Sequence, residues 1–258
     1  MSEGRIDLSV QGHVAQVTID DVTRHNAMSL GMWTALLAAF DEIDRRPDIR
    51  VCVLRGAGEK SFVSGANISE FETQRNSEAS VAHYNDMVKR TQQAIFRCRV
   101  PVIAAISGIC YGGGLGLALS CDMRYAAPHS RFRMPAARLG LGYDIDNMKS
   151  ILNNLGPQAT AEAFYTARVY DAPSAQAMGM VLAVVEDVFA HCTALAQEIA
   201  TNAPLTIQAA KKTLVALADD EKDMMSVKTT IDACFKSTDY AEGRLAFAQK
   251  RSPQFTGQ

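Results

Sequence analysis

The chain has 258 residues, 48% hydrophobic and 21% charged, with a formal net charge of -2 at neutral pH. That length supports a substantial core in one main domain, and the composition excludes long disorder or a fibrous repeat. The near-balanced charge offers no broad attraction for a polyanion, so neither nucleic acid nor an anionic membrane is expected as a partner.

In chain order, residues 5 to 20 hold two alternating runs around Gln11-Gly12-His13 and suit a β-hairpin. Met32, Trp33, Leu36, Leu37, Phe40 and Ile43 then recur at helical spacing behind Ser29, which is placed to cap the helix. Val51 to Leu54 reads as a buried strand, Val81 to Arg97 as a helix, and Val102 to Ile106 as a second buried strand. Such alternation implies an α/β fold with a largely parallel sheet covered on both faces. Beyond Met123 the strands become short, and three or four helices are expected between Ala159 and Leu245. A core over residues 1–200 and a helical region over 201–258 follow from that change.

The segment Met1 to Asp7 lacks the apolar core of a signal peptide. The apolar stretch from Val100 to Leu119 is interrupted by Pro101 and five glycines, which argues for strand, loop and helix rather than a membrane span. Six scattered cysteines form no CxxC pair and read as reduced core residues, so a cytoplasmic location is expected. His13, His25, His83, His129 and His191 are too widely spaced for a metal site, and none is expected. Ser64 has no nucleophile elbow around it.

Two segments carry chemistry. Ser61 to Glu70 follows a strand, and its small residues Ser64-Gly65-Ala66 let a ligand approach bare backbone N–H groups, although alone it reads as a surface loop. Ser107 to Asp122 runs from a strand end through Gly112-Gly113-Gly114 into an apolar helix, whose start suits an oxyanion. It has neither a P-loop nor a GxGxxG order.

Together these segments resemble motifs of the crotonase superfamily, the enoyl-CoA hydratase/isomerase family. Arg24-His25-Asn26-Ala27-Met28-Ser29 is similar to its N-terminal RNA(M/L)S motif, and Ala177 to Val181 to its A..(M/L)GLV segment. Asp239 to Phe255 resembles its D..EG..AF.EKR.P.F ending. The resemblance implies a ββα superhelix with a C-terminal helical trimerisation region, and assembly as a homotrimer or dimer of trimers. It implies an acyl-CoA substrate, no cofactor beyond the CoA moiety, and an oxyanion hole formed by the N–H groups of Ala66 and Gly113. CoA contacts are implied for Arg24, Ala66, Asn67, Ile68, Phe247 and Lys250, with Asn67 standing where the motif usually has aspartate.

Hydratases of the family use two glutamates to add water. The corresponding positions here are Gly116 and Ala136, so their mechanism does not carry over. Aligned on Leu139-Gly140, Asp144 falls where dienoyl-CoA isomerases carry a catalytic aspartate, and Tyr143 where methylmalonyl-CoA decarboxylase carries a tyrosine. Isomerisation or decarboxylation is therefore expected ahead of hydration. Alternatives are hydration by displaced acids, Asp144 with Glu70 or Glu72, and a catalytically silent acyl-CoA binder. Asp144 and Asp146 are also placed to cap a helix beginning near Asn147.

Overall fold

The computed structural model describes residues 4–67, 78–220 and 224–258. Strands β1 (Arg5–Gln11) and β2 (Val14–Asp20) form the expected antiparallel hairpin. Next to β2 lie β3 (Val51–Gly56), β5 (Val102–Ile106), β7 (Met123–Ala126) and the two-residue β10 (Ala183–Val184), in that order and all parallel. A smaller sheet runs β4 (Ser61–Val63), β6 (Ile109–Tyr111), β8 (Arg131–Arg133), β9 (Tyr170–Asp171), with an antiparallel last pair. The segment from Ser61 thus begins as a fully buried strand rather than a surface loop: Phe62 and Val63 each bury their side chains in the core.

Both faces of the larger sheet are covered, as unbroken apolar strands require. Cys52, Leu54, Val102, Ala104 and Ile106 join one core, together with Trp33, Leu36 and Phe40 of α1 (Leu30–Arg45) and Tyr84 and Ile95 of α2 (Glu78–Arg97). Val51, Val53, Ile103 and Ala105 point the other way, onto Val188, Cys192 and Ala196 of the helix Val188–Thr201. Ser29 caps α1 by accepting the N–H of Met32 at 3.1 Å. The six cysteines are free, and five of them are buried. Burial pushes the thiols of Cys98 and Cys121 up to about 12, as befits packing residues.

Four further helices complete the order up to that point and beyond it: α3 (Gly113–Leu119), α4 (Ile145–Thr166), α5 (Ala172–Ala177), then α6, the Val188–Thr201 helix already described. α4 begins at Ile145, two residues earlier than expected, because Asp144 rather than Asp146 supplies the cap, accepting the N–H of Asp146 at 3.0 Å. Helices α7 (Pro204–Ala218), α8 (Met225–Lys236) and α9 (Thr238–Gln249) follow. No described helix is long and apolar enough to cross a membrane.

The tail motif does structural work. Asp239, 3% exposed, receives the N–H groups of Thr256 and Gly257 at 2.7 and 2.8 Å. Glu242 pairs with Arg251 at 2.6 Å and accepts the N–H of Gln254 at 2.8 Å. Arg50 reaches from the body to the carbonyls of Ala200 and Phe255.

One buried ion pair ties α7 to the sheet. Lys211 is 5% exposed and bonds both oxygens of Asp122 at 2.7 and 2.6 Å, while Asp122 also accepts the N–H of Val102 at 2.8 Å. Removing one partner of such a pair leaves an uncompensated charge and costs about 3 kcal/mol. Lys211→Met is therefore expected to lower the free energy of unfolding by about 3 kcal/mol in a urea titration; a change within error would show that Asp122 is solvated well enough to stand alone.

Candidate active site

The site is assembled from the segment before α1. His25 and Asn26 both adopt left-handed backbone, a conformation that asparagine tolerates better than most residues. That turn buries the Asn26 amide, which accepts the N–H of Asp21 at 2.9 Å and donates to the carbonyls of Ala57 and Ser61 at 3.1 and 2.7 Å. The carbonyl of His25 in turn accepts from the Ser61 hydroxyl and the Ser64 N–H. Beyond Ser64, Met28 donates its N–H to Gly65 at 2.8 Å, and Asn67 donates to the carbonyl of Met28 at 3.0 Å. These two bonds make a parallel bridge between Met28 and Ala66, in which the N–H of Ala66 itself points away. It has no hydrogen-bond partner among the described residues.

A second unengaged N–H arrives from the neighbouring strand. β6 pairs with β4 and runs into Gly112, whose positive φ of 52° turns the chain into α3. Gly112 is held by its N–H to Arg133 at 2.9 Å. Gly113, the first residue of the helix, has an N–H that no intrahelical carbonyl can reach, and it also lacks a partner among the described residues. Gly114 allows the close approach of the two segments, since a Cβ there would lie 2.3 Å from the carbonyl oxygen of Val63.

Trp33 backs this arrangement. A Cβ on Gly113 would stand 3.5 Å from its ring, and its indole N–H donates to the Tyr84 hydroxyl at 2.9 Å. Tyr84 also lies 3.4 Å from the carbonyl of Met28, and the Thr91 hydroxyl bonds the carbonyl of Trp33 at 3.2 Å. α1, α2 and both loops are thereby fixed to one another.

Three residues beyond Gly113, Gly116 faces polar side chains. A Cβ on Gly116 would lie 2.8 Å from the Gln92 amide nitrogen and 3.5 Å from the Tyr143 hydroxyl. Tyr143 is partly buried, with its ring edge-on to Phe164 at 5.0 Å between centroids. Desolvation pushes its phenol up to about 12, so the hydroxyl keeps its proton and acts as a donor at neutral pH. Asp144, exposed, is engaged as the α4 cap. Asp146 pairs with Lys89 of α2, and that hydrogen bond holds its carboxyl below the usual carboxylate range. Ala136 is buried and contributes no polar group.

The structure thus brings Ala66, Gly113, Gly116 and Tyr143 into one neighbourhood. Arg24 stands half-exposed at its edge, paired with Asp21 at 3.1 Å. Ile68, Glu70 and Glu72 lie outside the described residues. Phe247, 88% exposed, and Lys250, the left-handed residue closing α9, belong to the C-terminal helices. Phe247 borders a groove of about 850 Å³ lined entirely from residues 203 to 255. Sequence reasoning missed Gln92, whose only signal is that an amide sits beside the buried stripe Tyr84, Met87, Thr91, Ile95 of α2.

Unengaged backbone N–H groups at a strand end and at a helix start are the kind of donors that can stabilise charge on a carbonyl oxygen. The sequence model of the enoyl-CoA hydratase/isomerase family matches residues 9–258. The chain belongs to that family. It is 31% identical over 251 residues to a putative enoyl-CoA hydratase of Thermus thermophilus, covering 95% of this chain and 98% of that one. It is 32% identical over 224 residues to the human mitochondrial Delta(3,5)-Delta(2,4)-dienoyl-CoA isomerase, covering 82% of this chain and 68% of the isomerase. The crystal structure of an enoyl-CoA hydratase/carnithine racemase from Magnetospirillum magneticum superposes with a TM-score of 0.91 at 37% identity, covering 98% and 96% of the two chains.

The raised Tyr143 pKa has a definite sign. Between the ordinary value of 10.0 and about 12 the unfolded chain loses this proton first, so folded stability falls as pH rises through that window. Unfolding free energies measured across it are expected to fall less steeply in Tyr143→Phe than in the native chain, and equal slopes would mean that the phenol is solvated.

Proposed function

We propose that this chain is an acyl-CoA enzyme that forms a thioester enolate, with chemistry of the decarboxylation type in preference to hydration. The observation that carries this reading is the Tyr143 hydroxyl standing 3.5 Å from the place of a Gly116 Cβ, with no carboxylate among the described residues beside it. By family resemblance Gly116 and Ala136 occupy the positions of the hydratase glutamates, and neither residue transfers a proton.

In this reading the thioester carbonyl oxygen sits between the N–H groups of Ala66 and Gly113, supported by the unengaged state of both donors. Loss of CO2 sends the electrons of the breaking C–C bond toward that carbonyl, and the oxygen gains charge without any base. Each backbone donor is worth roughly 3 to 4 kcal/mol of barrier at such a site. Tyr143 orients the departing carboxylate, and the α-carbon of the enolate then takes up a proton from solvent water. Arg24, Asn67, Ile68, Phe247 and Lys250 are assigned to the CoA moiety, with no further cofactor.

A second reading is double-bond isomerisation with Asp144 as proton shuttle, which the similarity to the human dienoyl-CoA isomerase favours. Asp144 stands next to Tyr143 at the start of α4. Incubating the protein with 2-enoyl, 3-enoyl, 3,5-dienoyl and methylmalonyl CoA esters in D2O, with mass spectrometry, separates these readings. CO2 loss that is reduced at least tenfold in Tyr143→Phe is the expected result. Double-bond migration that disappears in Asp144→Asn would transfer the assignment to the second reading. Addition of solvent water would overturn both, and silence on every ester would make the chain an acyl-CoA binder.

Residues 201–258 are assigned to oligomerisation of a cytoplasmic homotrimer or dimer of trimers. The exposed Leu214, Phe235 and Phe247 around the C-terminal groove support this. Light scattering on the eluting protein is expected to give three or six chain masses, and a monomer would refute the assignment.

A further inference from the structure

Gln92 is 8% exposed, yet its amide makes no hydrogen bond among the described residues. Neither does the Tyr143 hydroxyl. The two groups are not sealed away: among the described residues the unpaired side-chain atom fully closed off from solvent is Thr160 Oγ1, and both Gln92 and Tyr143 retain access to open space. Water or a ligand's acceptor oxygen can therefore reach both donors. The stripe of α2 that carries Gln92 is otherwise committed to the core, which makes an apolar residue the expected occupant if packing were its purpose.

The position of these groups is set from both sides. Lys89 lies one turn before Gln92 on the same helix and pairs with Asp146, three residues after Tyr143. That ion pair joins the start of α4 to α2, and the amide and the hydroxyl stand 2.8 and 3.5 Å from the place of a Gly116 Cβ. Gly116 stands about 4.5 Å along the helix axis from Gly113, and a side-chain direction at 116 leans back toward the helix start. The two donors therefore converge a little beyond the place of the thioester carbonyl, over the acyl chain.

We propose that the Gln92 amide and the Tyr143 hydroxyl together grip an acceptor oxygen carried on C3 of the acyl chain, so that Gln92 selects 3-oxo or carboxylated acyl thioesters over plain ones. This rests on the acyl-CoA reading above and names the substrate class that the site takes. A ketone and a carboxylate on the α-carbon present the same acceptor at C3, and both donors are neutral, so the pair serves either.

Trp33 is the single tryptophan and its ring lies 3.5 Å from the place of a Gly113 Cβ, so its fluorescence after rapid mixing reports occupancy of the site before turnover. The native chain is expected to bind acetoacetyl-CoA, malonyl-CoA or both about tenfold or more tightly than butyryl-CoA. The ester that shows the preference tells ketone from carboxylate. Gln92→Leu is expected to abolish that preference while leaving butyryl-CoA affinity within a factor of about two; Gln92→Met serves in the same way if the leucine variant does not fold. Equal binding of all three esters by the native chain, a preference that survives both substitutions, or a loss that extends equally to butyryl-CoA would each overturn the proposal and leave the CoA site intact. Failure of the native chain to bind any ester would instead remove the reading beneath it.

Discussion

The close passage of two backbones governs this molecule. At Gly114 the start of a helix lies so near the Val63 carbonyl that any side chain there would collide with it. Everything at the site depends on that approach: it sets the N–H of Gly113 beside the end of β4, and hence beside Ala66. The contact is held from one side by the pairing of β4 with β6, and from the other by the Asn26 amide and the Met28 bridge. Backbone donors need such rigid framing, because they have no rotamer with which to correct a misplacement.

Among the described residues, the polar groups beside Gly116 are neutral. Gln92 supplies an amide and Tyr143 an undissociated phenol, while the nearby carboxylates are engaged elsewhere, Asp144 with the backbone of α4 and Asp146 with Lys89. Neutral donors do not compete with a developing oxyanion for protons, and they orient a polar substituent without abstracting hydrogen.

Much of the fold was legible because its strands and helices follow simple burial rules. β3 and β5 are continuous apolar runs buried on both faces, and α1 shows a clean 3.6-residue period behind a serine cap. The second sheet was not legible, since three-residue strands such as β4 and β8 are too short to show a period. The glycine-rich segments marked two backbone N–H groups that the structure leaves unengaged, but Gln92 was hidden because one amide beside an apolar stripe looks like an ordinary helix residue until its neighbours in space are known. The motif residues Asn26, Asp239 and Glu242 proved to be fasteners of loop and tail, roles that depend on partners 12 to 35 positions away and on chain reversals that periodicity does not encode.

The contact between Gly116 and Gln92 also constrains how this sequence can drift. With an amide nitrogen 2.8 Å from the place of a residue-116 Cβ, a larger residue at 116 must turn the flexible end of the Gln92 side chain aside. A smaller residue at 92, arriving alone, would instead leave a hole against the glycine. The two positions are thus coupled: a side chain placed on α3 at 116 would redirect the Gln92 amide.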